Sequence, residues 1–471
     1  MTTAIVIGAG IAGLINAKIL SKHFQDVIVL EKDILSESFQ PEHRKGLPQA
    51  HHQHILLMKG RELFEAIFPG FDNELASMGS PELSYSNDIA LYVGHGKLPR
   101  FPSYLKVRPS RRIWIDALVR KRVASLANVV IKSNVQVQHL EFDQKDNRVT
   151  GVIYSEQHKD GSSGENCTHK LDADLVIDCS GRGSKITKWL KEIGCADIPS
   201  TVVDPKLGYA SCLLKIPENY SGTRGIEVAP HAPHAPDNPR AAGLWEVEKG
   251  TWLLTLIGMS GKYPPKDLEG FKAFADDLPT PAISEILNQA ERLSEIQSFR
   301  GTQNIWRHYE KMPSYPNGLL VLGDALCAFN PLHGQGLTLI ARSAQLLDQQ
   351  LQKGAQVQYS NKWAKANYRK LNKVFLSAWM FAISEDMRWP ETIGRKVDWK
   401  LNLAYRFTDK LLATSQHSKY ATQACLAVAN MVRSPLSLIR PGILFRMFWY
   451  SFYKHQNQRM ELNTHSVGTK K

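Results

Sequence analysis

The sequence predicts an α/β fold in which a discontinuous nucleotide-binding domain of the Rossmann type holds an inserted mixed-sheet domain and is followed by a helical region. Three observations predict it. The motif GAGIAG at Gly8–Gly13 follows the strand-like run Ala4–Ile7. A second motif, GDALCAFNPLHGQGLT at Gly323–Thr338, begins 310 residues after the first one ends. Between them the pattern changes to alternating, sheet-like segments at about Cys195, and the last third is mostly helical.

The first 30 residues have the order of a βαβ unit. Ala4–Ile7 and Asp26–Leu30 are short apolar runs of strand length, and Ile11–His23 between them has the apolar periodicity of a helix. This is the context in which a glycine-rich turn binds a dinucleotide rather than merely reversing the chain.

Each glycine of the first motif has a physical role in such a unit. Gly8 permits the tight turn, Gly10 lets a pyrophosphate approach the backbone, and Gly13 lets the helix pack closely against the sheet. Glu31 follows the second strand, 18 residues after Gly13, where its carboxylate can accept hydrogen bonds from ribose hydroxyls. A free 2′-hydroxyl favours FAD or NAD over NADP as the tightly held nucleotide.

The rest of the chain is assigned by hydrophobic pattern and turn residues. We assign the nucleotide-binding domain to 1–75, 105–190 and 300–355, the substrate domain to 76–104 and 191–299, and the helical region to 356–471. The Pro-rich stretch 231–240 is predicted to be a loop. Further helices are predicted at His54–Ile67 and Ile113–Leu126, and strands at Val129–Ile131, Val135–Phe142, Arg148–Tyr154, Leu175–Asp178, Tyr209–Ile216, Trp252–Ile257 and Leu319–Leu322.

The second motif has the features of a flavin-binding strand end. Asp324 follows the strand-like run GLLVL, where its carboxylate can bond ribitol hydroxyls. Gly334-Gln335-Gly336 then opens a helix whose free amides can face an anionic acceptor, such as the N1–C2=O edge of a flavin. The two motifs together predict one flavin nucleotide, FAD, bound at both ends.

Three motifs together resemble the signatures of flavoprotein monooxygenases of the para-hydroxybenzoate hydroxylase type: GAGIAG, DLVIDCSGRGS at 174–184 and GDALCAFNP-HGQG. Within that superfamily, RKGLPQAHHQHILL at 44–57, Arg307–Glu310 and Glu385–Pro390 resemble flavin epoxidases and hydroxylases of polyketides and other lipophilic metabolites. The resemblance covers about residues 1–400. It implies that NAD(P)H reduces FAD, that O₂ adds at C4a, and that the resulting hydroperoxide epoxidises or hydroxylates a lipophilic small molecule.

The resemblance also implies cofactor contacts. Arg44 corresponds to an arginine that reaches the flavin region, Arg112 to one at the start of a helix, and Val135 to a residue whose backbone meets the adenine. No catalytic residue is assigned; Arg44, Tyr209 and His333 are near-flavin candidates, and His333 stands where the resemblance leads us to expect tyrosine. The implied cofactor-binding set is Gly8, Gly10, Gly13, Glu31, Lys32, Arg44, Arg112, Val135, Asp178, Asp324, Gly334, Gln335, Gly336 and Leu337.

Two further interpretations stay open. Asp178, Gly181 and Arg182 are candidates for contact with NAD(P)H, which would bind transiently because the sequence has no second Rossmann motif; alternatively, Asp178 holds the turn and Arg182 is solvated. One strand face presents Trp252, Leu254 and Leu256, and another presents Tyr209, Ser211 and Leu213. We expect these faces to form an apolar cover over the flavin, and the alternative is that they are core residues.

Other functions of the same fold remain alternatives. A flavin halogenase is disfavoured because none of the ten tryptophans lies in a W-x-W pair, and Lys59 alone does not restore that interpretation. A prenyl-chain reductase of the geranylgeranyl type would need no O₂. A non-catalytic flavin-binding protein is the third alternative, and the intact motifs argue against it.

Composition limits the remaining possibilities. The six cysteines form no CxxC pair, which favours a reduced, cytoplasmic protein. No apolar run reaches the ~18–20 residues of a membrane span, and we expect no signal peptide. The clusters His51–His54 and His231–His234 have no acidic or cysteine partner nearby in sequence, so no metal is expected.

The net charge of +13 is concentrated in the last third of the chain, and no nucleic-acid module is present by spacing. The segment 436–454, LSLIRPGILFRMFWYSFYK, mixes aromatic with basic residues, which is typical of a membrane interface; alternatively, it packs on the protein body. The sequence does not indicate an oligomeric state.

Overall fold

A parallel sheet and a larger mixed sheet form the fold, which we describe from a computed structural model covering residues 2–94, 96–156, 168–230, 235–352 and 359–452. The predicted loop residues 231–234, Cys167 and residues 453–454 lie outside these ranges. The helices are α1 Ile11–Leu20, α2 Met58–Ile67, α3 Phe71–Ser77, α4 Arg112–Ala124, α5 Ile186–Glu192, α6 Leu268–Asp276, α7 Ala282–Gln289, α8 Gly336–Leu351, α9 Asn361–Asp386, α10 Trp399–Ser415, α11 Lys419–Ala429 and α12 at 441–452.

The strands follow the α/β order predicted for the first unit and the sheet-like pattern predicted after Cys195. They are β1 Thr3–Ile7, β2 Asp26–Leu30, β3 Gln53–Leu56, β4 Leu83–Ser84, β5 Ile89–Val93, β6 Gly96–Lys97, β7 Lys106–Arg111, β8 Val129–Lys132, β9 Val135–Asp143, β10 Arg148–Glu156, β11 Thr168–Asp172, β12 Leu175–Asp178, β13 Ser200–Val203, β14 Gly208–Lys215, β15 Gly225–Val228, β16 Arg240–Glu248, β17 Thr251–Gly258, β18 Glu291–Arg292, β19 Gln297–Phe299, β20 Asn304–Arg307, β21 Leu319–Val321 and β22 Cys327–Ala328.

The five-stranded sheet β21-β12-β1-β2-β8 is parallel throughout. Its strands are short runs of buried aliphatic residues, as expected for a sheet covered on both faces. Ile7 is in register with Asp178, and Asp178 with Val321, so the carboxyl ends of β1, β12 and β21 lie side by side. The glycine motif and the Gly323 motif therefore meet at one sheet edge, where ligands of open α/β sheets bind.

The mixed sheet has the order β18-β14-β17-β16-β15-β5-β6, with β19 paired to β14. β5 pairs in parallel with β15, whereas the other neighbours are antiparallel. The strands come from the two segments assigned to the substrate domain. One sheet face is buried under α6 and α7 by a cluster that includes Phe271 and Ile283. Together the two sheets confirm the predicted fold class.

The C-terminal helices pack onto both sheets. Residues of α9 such as Tyr368 and Trp379 belong to the same buried cluster as β1, so the predicted division at 356 does not mark the edge of a separate core. After α11, Asn430 accepts a hydrogen bond from the Met58 backbone N–H at 3.1 Å, a contact that spans 372 residues. No described helix is long and apolar enough to cross a membrane.

The predicted helix His54–Ile67 is wrong at its start. Residues Gln53–Leu56 form β3, which pairs with β7, and the helix begins only at Met58. The apolar run had no turn residue to separate the two elements, so the pattern could not locate the boundary.

Candidate functional site

One cavity of about 1110 Å³ runs along the edge where the two motifs meet. Its volume exceeds the roughly 300–1,000 Å³ typical of a single small-molecule pocket. The sequence-predicted residues that line it are Gly8, Gly10, Glu31, Lys32, Arg44, Arg112, Val135, Gly181, Arg182, Tyr209, Asp324, His333, Gly334, Gly336 and Leu337. Gly13, Asp178 and Gln335 do not line the cavity.

The glycines of the first motif have the geometry their roles require. Gly8 has φ +98°, a conformation that favours glycine. A Cβ at Gly13 would lie 1.8 Å from the Gly8 carbonyl oxygen, so this glycine allows α1 to pack against the turn. A Cβ at Gly10 would meet no atom within 4 Å, so open space lies in front of its backbone. That space suits the close approach of a pyrophosphate at the N-terminus of α1.

Glu31 is held at the end of β2 with its carboxylate fixed. Its Oε2 accepts from the Ala9 N–H at 2.6 Å and its Oε1 from the Asp33 N–H at 2.9 Å. Each oxygen keeps a further lone pair for a ribose hydroxyl. Val135 donates its N–H to the Glu31 carbonyl at 2.9 Å, which brings β9 to the same end of the cavity.

Arg44, for which the resemblance implies a place near the flavin, lines the cavity beside the glycine turn. Its Nη2 donates to the Ala9 carbonyl at 2.8 Å, and its Nη1 lies 3.3 Å from Glu31 Oε2. The guanidinium therefore sits at the glycine turn, where it suits a pyrophosphate better than an isoalloxazine ring.

Arg112 begins α4 and lines the cavity, with its Nε donating to Asp116 Oδ2 at 3.0 Å. The adjacent Arg111 instead pairs with Glu248 at 3.2 Å. The structure thus favours Arg112 over its neighbour as the cofactor-side arginine.

Asp178 is fully buried and organises the turn after β12. It accepts from the Ser180 N–H at 2.9 Å, from the Ser180 hydroxyl at 2.6 Å, and from the Ser184 hydroxyl. Arg182 is half-buried and lines the cavity, and it donates to the carbonyls of Gln303 and Phe329. Asp178 does not line the cavity, and its hydrogen bonds favour a structural role for it.

Asp324 also lines the cavity, and its Oδ2 lies 3.6 Å from Arg182 Nε. Gly334 has φ +63°, and a Cβ at Gly334 or Gly336 would meet no atom within 4 Å. The open N-terminus of α8 therefore faces the cavity. Gln335 points away, with its Nε2 donating to the Ala429 carbonyl at 3.5 Å, so it joins α8 to the C-terminal region instead.

A hydrogen-bonded chain that sequence reasoning missed lies on the mixed sheet. His52 Nδ1 and Ser211 Oγ are 2.8 Å apart, and Ser211 Oγ lies 2.7 Å from Thr255 Oγ1. Tyr209 meets the His52 ring edge-on, with centroids 4.3 Å apart. His52, Tyr209 and Thr255 all line the cavity. Ser211 and Thr255 come together only because β14 pairs with β17, which sets the two residues opposite each other.

The expected apolar cover is half correct. Tyr209, Thr255 and Ile257 face the cavity. Trp252, Leu254 and Leu256 face the opposite way, into the cluster under α6 and α7. Strand alternation grouped these residues properly, but it could not tell which face of the sheet meets the cavity.

Asp386, at the end of α9, ties the C-terminal region to the second motif. Its Oδ2 accepts from Asn304 Nδ2 and from Asn330 Nδ2, each at 2.6 Å, while its Oδ1 has no hydrogen-bond partner among the described residues. Burial, with Glu385 and Asp204 nearby, raises the pKa of Asp386 to about 7. The carboxyl thus fixes the Asn330-Pro331 turn that leads into His333.

His333 is packed against α9, with its ring centroid 4.6 Å from that of Phe381. Its Nε2 has no hydrogen-bond partner among the described residues, and burial lowers the pKa of His333 to about 4. Burial likewise lowers the pKa values of His52 and His54 to about 3. All three imidazoles are therefore uncharged at neutral pH, and in the described part of the chain no group of three His, Cys, Asp or Glu is arranged to hold a metal.

Comparison with known proteins places the chain in a family. Protein Rv3254 of Mycobacterium tuberculosis (strain ATCC 25618 / H37Rv) is 30% identical over 431 residues, which are 87% of this chain and 87% of that protein. The chain belongs to the same family as Rv3254. No family model matches the sequence.

Solved structures define the fold of this Rv3254-family chain. The flavin-dependent brominase Bmp2 has a TM-score of 0.64 at 15% identity, over 96% of this chain and 100% of that chain. PqsL, described as a probable FAD-dependent monooxygenase from Pseudomonas aeruginosa, has a TM-score of 0.59 at 14% identity, over 82% and 97%. The chain has the fold of the FAD-dependent monooxygenase superfamily, which confirms the resemblance drawn from its motifs.

We expect His54 to make the protein sensitive to acid. Its pKa falls from 6.5 to about 3 on folding, so between these values the unfolded chain binds more protons and stability drops as the pH is lowered. His54→Gln keeps an N–H donor for the His52 carbonyl. Its melting temperature should fall less than that of the wild type between pH 7 and 5, by on the order of 2–4 °C.

The matched control is His169→Gln on the exposed strand β11, which should follow the wild type. The melting temperatures are measured by scanning calorimetry. If they changed equally with pH in all three proteins, the assignment of a buried, uncharged His54 would be contradicted.

Asp386 should make the protein less stable as the pH rises, which is the opposite of the effect of His54. Because its pKa is raised to about 7, its contribution to stability is complete below about pH 3.9 and is lost as the pH rises through 7. Asp386→Asn retains an acceptor for both asparagines without the charge. It should match the wild type near pH 4, exceed its free energy of unfolding by a growing amount up to about pH 7, and keep that difference at pH 8.5, as measured by urea denaturation.

Asp386→Ala is the companion variant. It leaves the Asn304 and Asn330 amides without their acceptor and should be about 1–3 kcal/mol less stable than Asp386→Asn at every pH. A wild type and an Asp386→Asn variant with the same pH dependence would disprove the raised pKa.

Proposed function

We propose that the chain is an FAD-dependent monooxygenase that uses NAD(P)H and O₂ to epoxidise or hydroxylate a lipophilic small molecule. The supporting observation is the continuity of the cavity. It joins the turn at Gly8–Gly10 and Glu31 to the N-terminus of α8, and then continues across the sheet face that carries Tyr209 and Ile257. Such a cavity can hold a dinucleotide and a second, apolar molecule at once.

The residues present fit FAD. Open backbone at Gly10 and at Gly334 and Gly336 leaves amides accessible at both ends. Glu31 and Asp324 offer carboxylates for ribose and ribitol hydroxyls, and Arg44 offers a cation between them. When bound, FAD would supply electron transfer from NAD(P)H and the activation of O₂.

The protein's own groups would orient the reactants and keep water out. The amides at the start of α8 can stabilise negative charge on the flavin edge. His52, held by Ser211, is uncharged and can carry a proton on either ring nitrogen. Tyr209, Ile257 and Met259 provide an apolar surface for substrate, which favours a dry reaction site.

The alternatives receive less support. Lys59 pairs with Glu62 at 2.7 Å and does not line the cavity, so it is not placed to act in halogenation, although the brominase Bmp2 shares the fold. A prenyl-chain reductase remains compatible with an apolar cavity. It differs from a monooxygenase in needing no O₂.

The deciding experiment uses purified protein reconstituted with FAD. A bound-flavin absorption spectrum, NAD(P)H oxidation that a lipophilic compound stimulates, and ¹⁸O from ¹⁸O₂ in the product would support a monooxygenase. Substrate reduction under anaerobic conditions would instead assign the reductase. Protein that takes up no flavin would overturn both.

We also propose a cytoplasmic protein that contacts the membrane peripherally through 436–454. Of this segment the structure describes 436–452, and the exposed side chains there include Leu436, Phe448 and Trp449. Aromatic and basic residues on one surface are typical of helices that lie in the membrane interface.

A further inference from the structure

Helix α12 is apolar on both sides. Its inward face packs against the rest of the protein, whereas its outward face is exposed. Ile443 and Met447 are buried against Leu411 and Ala421. On the other side of α12, and in the 3₁₀ turn Pro435–Ile439 that precedes it, apolar side chains are 43–74% exposed. This C-terminal apolar face consists of Leu436 (74% exposed), Ile439 (54%), Leu444 (43%), Phe445 (62%), Phe448 (65%), Trp449 (55%) and Phe452 (50%).

The chain around this face carries charge of one sign. Between Asp409 and Glu461 the sequence contains no acidic residue and seven basic ones. Such a segment is complementary to the anionic surface of a cytoplasmic leaflet, which attracts Lys and Arg next to an apolar face. The basic residues are Lys410, Lys419, Arg433, Arg440, Arg446, Lys454 and Arg459.

The cavity reaches the same place. Its far end is lined by side chains from α10, α11 and the 3₁₀ turn Pro435–Ile439. Pro435 is both exposed and part of the lining, and its neighbour Leu436 is the most exposed member of the C-terminal apolar face. The apolar lining at this end includes Leu411, Leu412, Leu426, Val428, Pro435 and Leu438.

We propose that this end of the cavity opens onto an anionic membrane, and that the substrate is an apolar molecule dissolved in the bilayer, which enters past Pro435 and Leu438. The proposal rests on the function proposed above, for which it names the source and route of the substrate. The face of α12 would insert among lipid chains while Arg433 and Arg440, both exposed, contact headgroups.

A second copy of the chain is a poorer occupant of this face. Two copies joined through it would bring two acid-free basic segments together, and like charges across an interface are unfavourable. Lipid headgroups instead neutralise this charge.

The first test measures binding and requires neither NAD(P)H nor O₂. The FAD-loaded protein is sedimented with vesicles of phosphatidylcholine alone or with about one third phosphatidylserine. We expect binding to the anionic vesicles, and at least a tenfold loss of affinity in Phe448→Ser/Trp449→Ser. The matched control is Leu268→Ser/Leu293→Ser in the substrate domain. These two apolar side chains are also exposed, by 42% and 45%, and this variant should bind vesicles as the wild type does.

The second test follows the route with a fluorescent apolar probe, N-phenyl-1-naphthylamine. The probe is delivered either from anionic vesicles or from a cyclodextrin complex. Phe448→Ser/Trp449→Ser should slow uptake from vesicles at least tenfold and leave uptake from cyclodextrin unchanged. Leu438→Lys, at the opening, should still bind vesicles but slow uptake from both carriers.

Several results would overturn the proposal. They are equal vesicle binding by the wild type and the Phe448→Ser/Trp449→Ser variant, unchanged uptake in Leu438→Lys, or a stable dimer in light scattering that Phe448→Ser/Trp449→Ser dissociates. The last would assign the face to a second copy. Vesicle binding and uptake without ¹⁸O incorporation would instead retain the route and reject the monooxygenase, so the two failures are distinguishable.

Discussion

Gly10→Ala is expected to weaken FAD binding by on the order of 100-fold while leaving the stability of the flavin-free protein unchanged. Gly10 has an ordinary extended conformation, with φ −74° and ψ 175°, and an added Cβ would meet nothing within 4 Å. The methyl group would instead occupy the space proposed for the pyrophosphate. An overpacking penalty of about 2–3 kcal/mol, borne by the complex alone, corresponds to that loss of affinity.

Flavin fluorescence titration gives the affinity, and thermal unfolding of the flavin-free protein gives the stability. Gly442→Ala is the control, because Gly442 has no positive φ, its Cβ would meet nothing closer than 3.3 Å, and it does not line the cavity. Unchanged flavin affinity in Gly10→Ala would mean that no phosphate approaches this turn, and it would remove the main support for the nucleotide site.

Gly13→Ala is expected to destabilise the protein even without flavin, by about 3 kcal/mol. Its Cβ would lie 1.8 Å from the Gly8 carbonyl oxygen, so α1 must move away from the turn. The Gly8 carbonyl oxygen and carbon that this Cβ would meet are backbone atoms, and they cannot turn aside as a flexible side chain could. Urea denaturation of the flavin-free protein measures the change.

Ala12→Gly is a suitable comparison at the adjacent, half-buried position of α1, since it removes a methyl group rather than adding one. It should cost about 1 kcal/mol through helix propensity. If Gly13→Ala were no less stable than Ala12→Gly, close packing of α1 on the turn would be refuted.

The fold around the glycine turn could be predicted from the sequence because its determinants are local. A strand, a glycine turn and a helix follow one another within 20 residues, and Glu31 lies at the end of the next strand. The order of contacts along the chain is then nearly the order in space. The position of Arg44 within the cavity could not be predicted, because a long side chain on a loop can reach either end of it.

The substrate half could not be predicted in the same way. The group His52, Ser211 and Thr255 forms only when a loop meets two strands of another sheet, and the separation of 159 residues between His52 and Ser211 leaves no pattern in the sequence. Likewise, alternation placed Trp252, Leu254 and Leu256 together, but burial under α6 and α7 decided where they face. Asp386 lies in the segment Glu385–Pro390, which carries part of the family resemblance, but only the tertiary structure reveals its two asparagine partners.

The hydrogen bond between Met58 and Asn430 has a consequence for biosynthesis. Segments far apart in the sequence line the same cavity, which includes both Gly8 and Leu438. N-terminal parts of a chain begin to fold during translation, but here the enclosure must wait until α11 has emerged. A nascent chain halted before residue 419 would therefore leave the cavity open at the end that Leu426, Val428 and Leu438 later line.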